Sequence, residues 1–142
     1  MNLSIPQQLD AAFRRAIFLA FDIEADPIIT PIAQAQFGDY QSNCAMPLSK
    51  RVTDSIGQKT NPRQIAEAVK AKLDLGEMAT EVTIAGPGFI NVRLNPTWLA
   101  RQLDPLKTDT RLGVNPTTNP QTVVIDYSAP NVAKEMHVGH LR

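Results

Sequence analysis

The spacing of apolar residues changes near residue 80, and this change restricts the chain to a mixed fold. Upstream, apolar residues recur every three or four positions and form one stripe of a helix of about four turns: Leu9, Phe13, Ala16, Ile17 and Ala20. Downstream, apolar residues alternate with polar or small ones on both sides of the turn Gly86-Pro87-Gly88, as in strands: Val82 and Ile84, then Ile90, Val92 and Leu94. The sequence therefore predicts an α+β fold in which helices pack on a small antiparallel sheet.

Residues with helix-capping preferences mark where three of the helices begin. Ser4 and Gln7 form a capping box at the start of the first helix. Asn61-Pro62 combines a capping side chain with proline at the first helical position, and Asn95-Pro96 repeats this pattern. Trp98 in the last of these helices is expected in the core. The helix after Asn61 buries one stripe: Ile65, Val69 and Leu73.

The region between the first two capped helices predicts an edge strand and a further helix. Pro27 and Pro31 bracket a short β-branched run at 28–30, which suits an edge strand. The following stretch at 36–40 predicts a turn into a helix with Asp39 as its N-cap. Pro47 should kink that helix or delay its start.

A continuous apolar, β-branched run at Thr122–Tyr127 is typical of a parallel strand covered on both faces. Such a strand needs neighbouring strands and covering helices, and the chain ends at Arg142. We therefore expect only the first strand and loop of a truncated Rossmann-type domain. The predicted division is an N-terminal domain at 1–107, a linker at 108–121 that is rich in Thr, Asn and Pro, and the start of a second domain at 122–142.

Composition excludes several classes of protein. Hydrophobic residues make up 43% and charged residues 20% of the chain, which excludes collagenous, low-complexity and wholly disordered proteins. No apolar run approaches the roughly 20 residues that a membrane helix needs, and the N-terminus lacks the features of a signal peptide. Cys44 is the only cysteine. These features predict a cytoplasmic protein without a membrane partner.

Charge is neutral overall but uneven along the chain. The formal net charge is zero, whereas residues 40–72 carry six basic and two acidic side chains. A solvated helical face and a weak phosphate-facing patch both fit this distribution.

The predicted strand is followed by a segment whose residue types suit nucleotide binding: His137-Val138-Gly139-His140. Two histidines three residues apart share a helical face and can donate hydrogen bonds to oxygens that gain charge during phosphoryl or nucleotidyl transfer. Gly139 allows a base or a phosphate to approach the backbone. On its own, this pattern favours nucleotide chemistry no more than it favours the two alternatives taken together, which are a pair of surface histidines and a partial metal site.

The surrounding residues resemble the entry to the catalytic domain of bacterial arginyl-tRNA synthetases. His137-Val138-Gly139-His140 is similar to the HIGH signature of class I aminoacyl-tRNA synthetases, with Val138 in place of isoleucine. The segment 128–134 contains the Ser-x-Pro-Asn-x-x-Lys pattern of the arginyl branch. Phe37-Gly38-Asp39-Tyr40-Gln41 and Gly86-Pro87-Gly88-Phe89-Ile90-Asn91 resemble the N-terminal appended domain of the same family.

The resemblance implies an arginine–tRNA ligase and the roles of particular residues. Such an enzyme forms arginyl-adenylate from ATP and L-arginine, with Mg²⁺ accompanying ATP, and passes arginine to tRNA-Arg. No prosthetic group or resident metal is implied, and the parent protein is expected to be a monomer. ATP would be bound by Lys134, His137, Gly139 and His140. L-arginine would be bound by Asp126, Ser128 and Asn131, although Asp126 could instead serve a strand-end hydrogen bond.

The resemblance also implies that the appended domain binds the tRNA D-loop. Phe89, Asn91 and Arg93 share one strand face, where a ring can stack on an unpaired base, an amide can bind its edge and a guanidinium can bind phosphate. Tyr40 and Gln41 are further candidates, flanked by three basic residues: Lys50, Arg51 and Lys59. In the alternative, Phe89 packs under the first helix and the other two side chains are solvated.

Two other functions remain open on the sequence. A small-molecule nucleotidyltransferase can also carry an H-x-G-H motif, although its first strand usually lies near the N-terminus. A stand-alone RNA-binding module is the second alternative. In the synthetase interpretation, the 142-residue chain is expected to be catalytically inactive alone, because most of the nucleotide-binding sheet would be missing.

Overall fold

The computed structural model describes residues 3–52, 60–114, 116–127, 133, 135, 137 and 138. Four α-helices, four strands and three short 3₁₀ helices make up the regular structure of these residues. The helices are α1 (Ile5–Phe21), α2 (Ala45–Leu48), α3 (Pro62–Lys72) and α4 (Pro96–Leu103). The strands are β1 (Ile29–Pro31), β2 (Tyr40–Ser42), β3 (Ala79–Ala85) and β4 (Phe89–Leu94). Within these residues, no helix combines the length and apolar character needed to cross a membrane.

The strands form one antiparallel sheet in the order β1-β2-β4-β3. β1 lies at one edge, as the prolines around it predict, and β4 lies in the interior between β2 and β3. Gly88 closes the β3–β4 hairpin with a φ of +142°, and a Cβ added there would lie 2.8 Å from the carbonyl oxygen of Pro62. Glycine is therefore required for the hairpin to approach the start of α3. The predicted α+β class is confirmed.

The predicted helix caps are confirmed by their hydrogen bonds. The backbone N–H of Ser4 donates to Gln7 Oε1 at 2.9 Å. Asn61 Oδ1 accepts from the backbone N–H of Arg63 at 2.9 Å, and Asn95 caps α4 in the same way. These side chains satisfy backbone donors that have no partner within the helix.

The core lies between the helices and one face of the sheet. The helical stripes predicted from the sequence supply most of it, including Phe13 and Ile65, which are fully buried. From β4, Ile90 and Val92 are buried in the same cluster. The sheet therefore has a helix-packed face and an outer face, and residues alternate between them along the strands, except at a register irregularity between Ala79 and Glu81 in β3.

The predicted helix capped by Asp39 is wrong, because residues 40–42 form strand β2. Asp39 instead bridges strands: its backbone N–H donates to the carbonyl oxygen of Val92 at 2.9 Å, and its Oδ2 accepts from the backbone N–H of Leu94 at 2.7 Å. Hydrogen bonds to residues more than 50 positions away in the sequence outweigh the local capping preference of this segment. The following helix begins only at Ala45, with Pro47 in its first turn, where a missing N–H is tolerated.

The expectation that Trp98 lies in the core is also wrong. No residue of α4 is buried; Trp98 is half-buried and Leu103 is exposed. Of this helix, Leu99 packs against the core cluster. Helix α4 lies at the margin of the domain, where its main contacts are with short 3₁₀ helices.

The predicted strand at 122–127 is not formed. Residues 121–127 are exposed and carry no strand pairing; the side chain of Val124 is 89% exposed. A parallel strand obtains all its backbone hydrogen bonds from neighbouring strands, and no described strand runs beside this segment.

Candidate nucleic-acid interface

Strand β4 presents three of the predicted RNA-binding residues on the outer face of the sheet. Ile90, Val92 and Leu94 point into the core, so Phe89, Asn91 and Arg93 lie on the opposite face. The prediction that these three residues share a face is confirmed. Phe89 is half-buried and is not a member of the core cluster, so the alternative in which it packs under α1 is not supported.

A row of polar side chains crosses the outer face through all four strands. Gln41 pairs with Thr30 on one side and with Asn91 on the other, and Asn91 pairs in turn with Thr83. Directly paired residues of antiparallel strands project to the same face with their Cβ atoms about 5 Å apart. The neighbouring rows on the helix-packed face are mostly apolar. The outer face is therefore a polar surface with Phe89 beside it.

Asn91 is the most unusual member of this row. It is only 3% exposed, yet its Oδ1 atom is buried without a hydrogen-bond partner among the described residues. An unsatisfied buried polar atom costs about 1–3 kcal/mol of folding free energy. Such an atom calls for a physical explanation, such as a bound water, an ion or a ligand, and Asn91 stays a candidate binding residue.

Arg93 is engaged within the domain. Its Nη2 donates to the carbonyl oxygens of Ala35 at 3.3 Å and Gln36 at 3.1 Å, and its Nε lies 3.6 Å from Glu81 Oε2. The side chain thus holds the loop before β2 against β4. The contact of Arg93 with an RNA phosphate stays a prediction. Such a contact would compete with the interactions that Arg93 makes with Ala35, Gln36 and Glu81.

The other predicted RNA-binding residues divide between the two faces. Gln41 lies in the polar row, whereas Tyr40 pairs with Val92 and packs against the core cluster. Lys50 and Arg51 are exposed after α2, and Arg51 Nη1 lies 3.5 Å from the carbonyl oxygen of Glu24. Lys59 lies outside the described residues. The sequence interpretation missed Thr30 and Thr83, because their place in the row depends on strand pairing.

The predicted ATP and arginine residues lie in the last 17 positions of the chain. Asp126 and His137 are exposed in the structure. The remaining five lie outside the described residues: Ser128, Asn131, Lys134, Gly139 and His140. The roles of all seven residues therefore stay predictions.

No metal centre or reactive thiol is found in the part of the chain that is described. Within it, no group of three or more His, Cys, Asp or Glu side chains could hold a metal ion. Cys44 is buried, and burial raises the pKa of its thiol above the ordinary value. A thiol of raised pKa is a poor nucleophile at neutral pH, so Cys44 serves packing.

Two family models match consecutive parts of the chain. The arginyl-tRNA synthetase N-terminal domain matches residues 4–94, and the class I catalytic domain of the arginine-specific tRNA synthetases matches residues 103–142. The chain belongs to the arginyl-tRNA synthetase family. The N-terminal match contains the whole polar row, and the catalytic match contains the H-x-G-H motif.

Relatives and solved structures agree with this assignment. Arginine–tRNA ligase from Synechococcus sp. is 48% identical over 138 residues, which are 95% of this chain and 23% of the relative. The protein of that name from Picosynechococcus sp. is 46% identical over 98% of this chain and 23% of its own length. The chain thus spans about a quarter of these relatives, and the matches favour a synthetase over a nucleotidyltransferase.

Among solved structures, arginyl-tRNA synthetase from Plasmodium falciparum matches with a TM-score of 0.67 and 28% identity, over 96% of this chain and 26% of that one. The Thermus thermophilus arginyl-tRNA synthetase has a TM-score of 0.61 at 24% identity, over 97% of this chain and 21% of that one, and shows the same fold.

The connection between the sheet domain and the H-x-G-H motif contains an ordered turn. Asp109 Oδ1 accepts from the backbone N–H of Arg111 at 2.9 Å, and Oδ2 accepts from that of Gly113 at 2.8 Å. These hydrogen bonds favour the carboxylate and lower the pKa of Asp109 from its ordinary value. The predicted linker at 108–121 is therefore locally structured at its start.

We expect the turn to loosen as pH falls below the range in which an ordinary aspartate loses its charge. Because the pKa of Asp109 is lower in the folded turn than in an unfolded chain, its carboxylate stabilises the turn above the ordinary aspartate pKa of about 3.9. That stabilisation is lost as pH falls through the lowered pKa. In an NMR titration, the amide protons of Arg111 and Gly113 should shift together with a midpoint below 3.9.

The Asp109→Asn variant is the control, since it should show no such titration. A midpoint at or above the ordinary aspartate value in the wild-type chain would contradict the hydrogen-bonded turn.

Proposed function

We propose that this chain is the N-terminal part of an arginine–tRNA ligase, which activates L-arginine with ATP to arginyl-adenylate and transfers it to tRNA-Arg. The proposal rests on one observation: the two family models match consecutive parts of the same chain, at 4–94 and 103–142. The proposed division is an appended tRNA-binding domain at 1–107, a linker at 108–121 and the start of the catalytic domain at 122–142. The parent enzyme is proposed to be a cytoplasmic monomer.

The C-terminal segment supplies the groups for adenylate formation in this proposal. His137 and His140 donate hydrogen bonds to ATP phosphate oxygens and stabilise the charge that develops on the α-phosphate. Gly139 lies beneath the adenine, and Lys134 binds phosphate. Mg²⁺ enters as the counter-ion of ATP, so it is part of the substrate and needs no resident site.

Arginine recognition is assigned to the residues just before the motif. A carboxylate such as Asp126 can bind the α-amino or guanidinium group of arginine through charge-assisted hydrogen bonds. Ser128 and Asn131 add uncharged hydrogen-bonding groups. All three are carried over from the family resemblance, on positions of the chain that match its pattern.

The outer face of the sheet is the proposed contact for the tRNA D-loop. Phe89 offers a ring for an unpaired base, and Asn91 offers a side-chain amide for the edge of that base. Gln41 lies directly beside Asn91 and is included. Tyr40 is left out because its position faces the core.

Loss of the stacking ring should weaken tRNA binding strongly. Base–aromatic stacking contributes about 1–3 kcal/mol per base, so Phe89→Ala should raise the Kd of the 142-residue chain for a tRNA-Arg transcript about 5- to 150-fold. Asn91→Ala should raise it about 5-fold or more. Filter binding at one fixed salt concentration measures both.

Phe18→Ala is the matched control, because Phe18 is 48% exposed on α1 and lies away from the outer face. Its affinity should equal that of the wild type. An unchanged Kd for both Phe89→Ala and Asn91→Ala would remove the outer face from the RNA site.

Adenylate formation should require the rest of the parent enzyme. The 142-residue chain should give no ATP–pyrophosphate exchange above background with L-arginine and tRNA-Arg, because residues 121–127 are exposed and unpaired instead of lying in a nucleotide-binding sheet. Robust exchange would overturn the proposal that these residues are only the start of the catalytic domain.

A further inference from the structure

Strand β3 forms one edge of the sheet, and the side of it away from β4 is open. Among the described residues β4 is its only strand partner, so backbone N–H and C=O groups on the open side lack a strand to pair with. Such a row of groups is a template for a further strand. The register irregularity between Ala79 and Glu81 affects only the start of β3. The part from Val82 to Ala85 is regularly paired and contains no proline.

The opposite edge of the sheet is poorly suited to strand addition. Strand β1 has only three residues, and the last of them, Pro31, has no backbone N–H to donate. Ile28, directly before β1, has a φ of +52°, which departs from the extended backbone of a strand. Short strands and prolines protect an edge from pairing. A further strand is therefore favoured at β3.

A groove of about 450 Å³ lies beside β3, where helix α3 meets the sheet. It is lined by Arg63, Glu67, Lys70, Ala71 and Ile84. Ile84 pairs with Ile90 and lies on the helix-packed face, but it is half-buried whereas Ile90 is fully buried. A strand added to the open edge would place every second side chain over this groove and would cover Ile84.

The chain itself contains a segment that suits this position. Residues 122–127 are mostly β-branched and contain neither glycine nor proline, and they are exposed and unpaired. In an extended conformation Val123, Ile125 and Tyr127 share one face, and all three are exposed apolar side chains. An exposed segment of high β-propensity and low charge readily adds to a strand edge. Its six residues approach the length of β3, which has seven.

The charges of the segment and the groove are complementary. The groove contains two cations, Arg63 and Lys70, and one carboxylate, Glu67. Glu67 Oε1 lies 3.6 Å from Arg63 Nε, whereas Lys70 has no acidic partner among the described residues. Asp126 is the one charged side chain of the segment. A segment of net charge −1 thus meets a groove of net charge +1, which favours their association.

A second copy of the chain is the occupant that these observations favour. In the single chain, residues 121–127 do not pair with β3, although its edge is open. Two copies that exchange their segments would occupy both open edges at once. Such an exchange gives a closed two-fold assembly, whereas one-way addition would leave a free segment at one end and an open edge at the other.

We propose that the 142-residue chain forms a two-fold dimer in which residues 122–127 of each copy add to the β3 edge of the other. Val123, Ile125 and Tyr127 then cover the groove beside α3. This inference goes beyond the proposed function. It is compatible with a monomeric parent enzyme, because there the same residues are proposed to belong to the catalytic domain and would not be available for exchange.

The segment side of the contact is tested by two lysine variants in sedimentation equilibrium, which measures the Kd of the dimer. Ile125→Lys places a cation beside Lys70 and removes an apolar side chain from the groove, so it should raise the Kd at least about 10-fold. Val124→Lys is the matched control, because residue 124 projects to the other face of the added strand. Its Kd should stay within about twofold of the wild type.

The groove side is tested by Ala71→Glu. Ala71 is exposed on α3, so the fold should accept a carboxylate there, whereas the segment that carries Asp126 should be repelled. The Kd of the dimer should again rise at least about 10-fold. Ala100→Glu makes the same change at an exposed position of α4, outside the groove, and should leave the Kd unchanged. Circular dichroism verifies that both variants fold.

A mixture of differently labelled copies locates the contact by NMR. Intermolecular nuclear Overhauser effects should connect the amide protons of residues 122–127 with those of residues 82–85. A chain that stays monomeric up to millimolar concentration would overturn the inference. So would protection of residues 122–127 that does not depend on concentration, since the segment would then pair with its own chain. A dimer that neither Ile125→Lys nor Ala71→Glu weakens would use another surface and would also overturn it.

Discussion

Strand β4 and its pairing with β2 and β3 determine both the core and the candidate interface. Because β4 lies in the interior of the sheet, its alternating residues must satisfy two surfaces at once: Ile90 and Val92 fill the core, and Asn91 completes the outer polar row. A shift of one residue in register would exchange the two faces and bury the polar side chains under the helices. The apolar face thus fixes the register, and the register aligns Gln41 with Asn91.

On the outer face, the packing of Asn91 is at odds with the stability of the domain, because a polar side chain is buried there. The buried Oδ1 of Asn91 has no hydrogen-bond partner in the described residues, and an unsatisfied polar atom of this kind is unfavourable for folding. Conflicts of this kind are expected at functional sites, where a ligand completes the hydrogen bonding. Arg93 shows the opposite case, because its guanidinium is already engaged by the loop carbonyls before any ligand binds.

Local sequence signals predicted the parts of the fold that depend on near neighbours. The capping residue Asn61 and the apolar stripe around Phe13 predicted helices, and the alternation of apolar and polar residues on both sides of Gly88 predicted the hairpin. Strand β2 was missed because it has only three residues and because one of its two partners, β4, is distant in sequence. The burial of Asn91 was missed for the same reason, since only strand pairing places Gln41 and Thr83 beside it.

The segment at 122–127 has the composition of a buried strand, but a strand cannot form without a partner. Its motif and the family match identify the domain that it begins, whereas its described residues are exposed. The family assignment rests on this match together with the match of residues 4–94 to the N-terminal domain. The folded part of the chain contains the outer face of the sheet, which is the proposed contact for RNA.

The β2–β4 register is the central claim, and NMR can test it directly. Cross-strand nuclear Overhauser effects should connect backbone protons of Gln41 with those of Asn91, and those of Tyr40 with those of Val92. Contacts from Gln41 to Ile90 or Val92 as the directly paired residue would show a shifted register and would contradict the account.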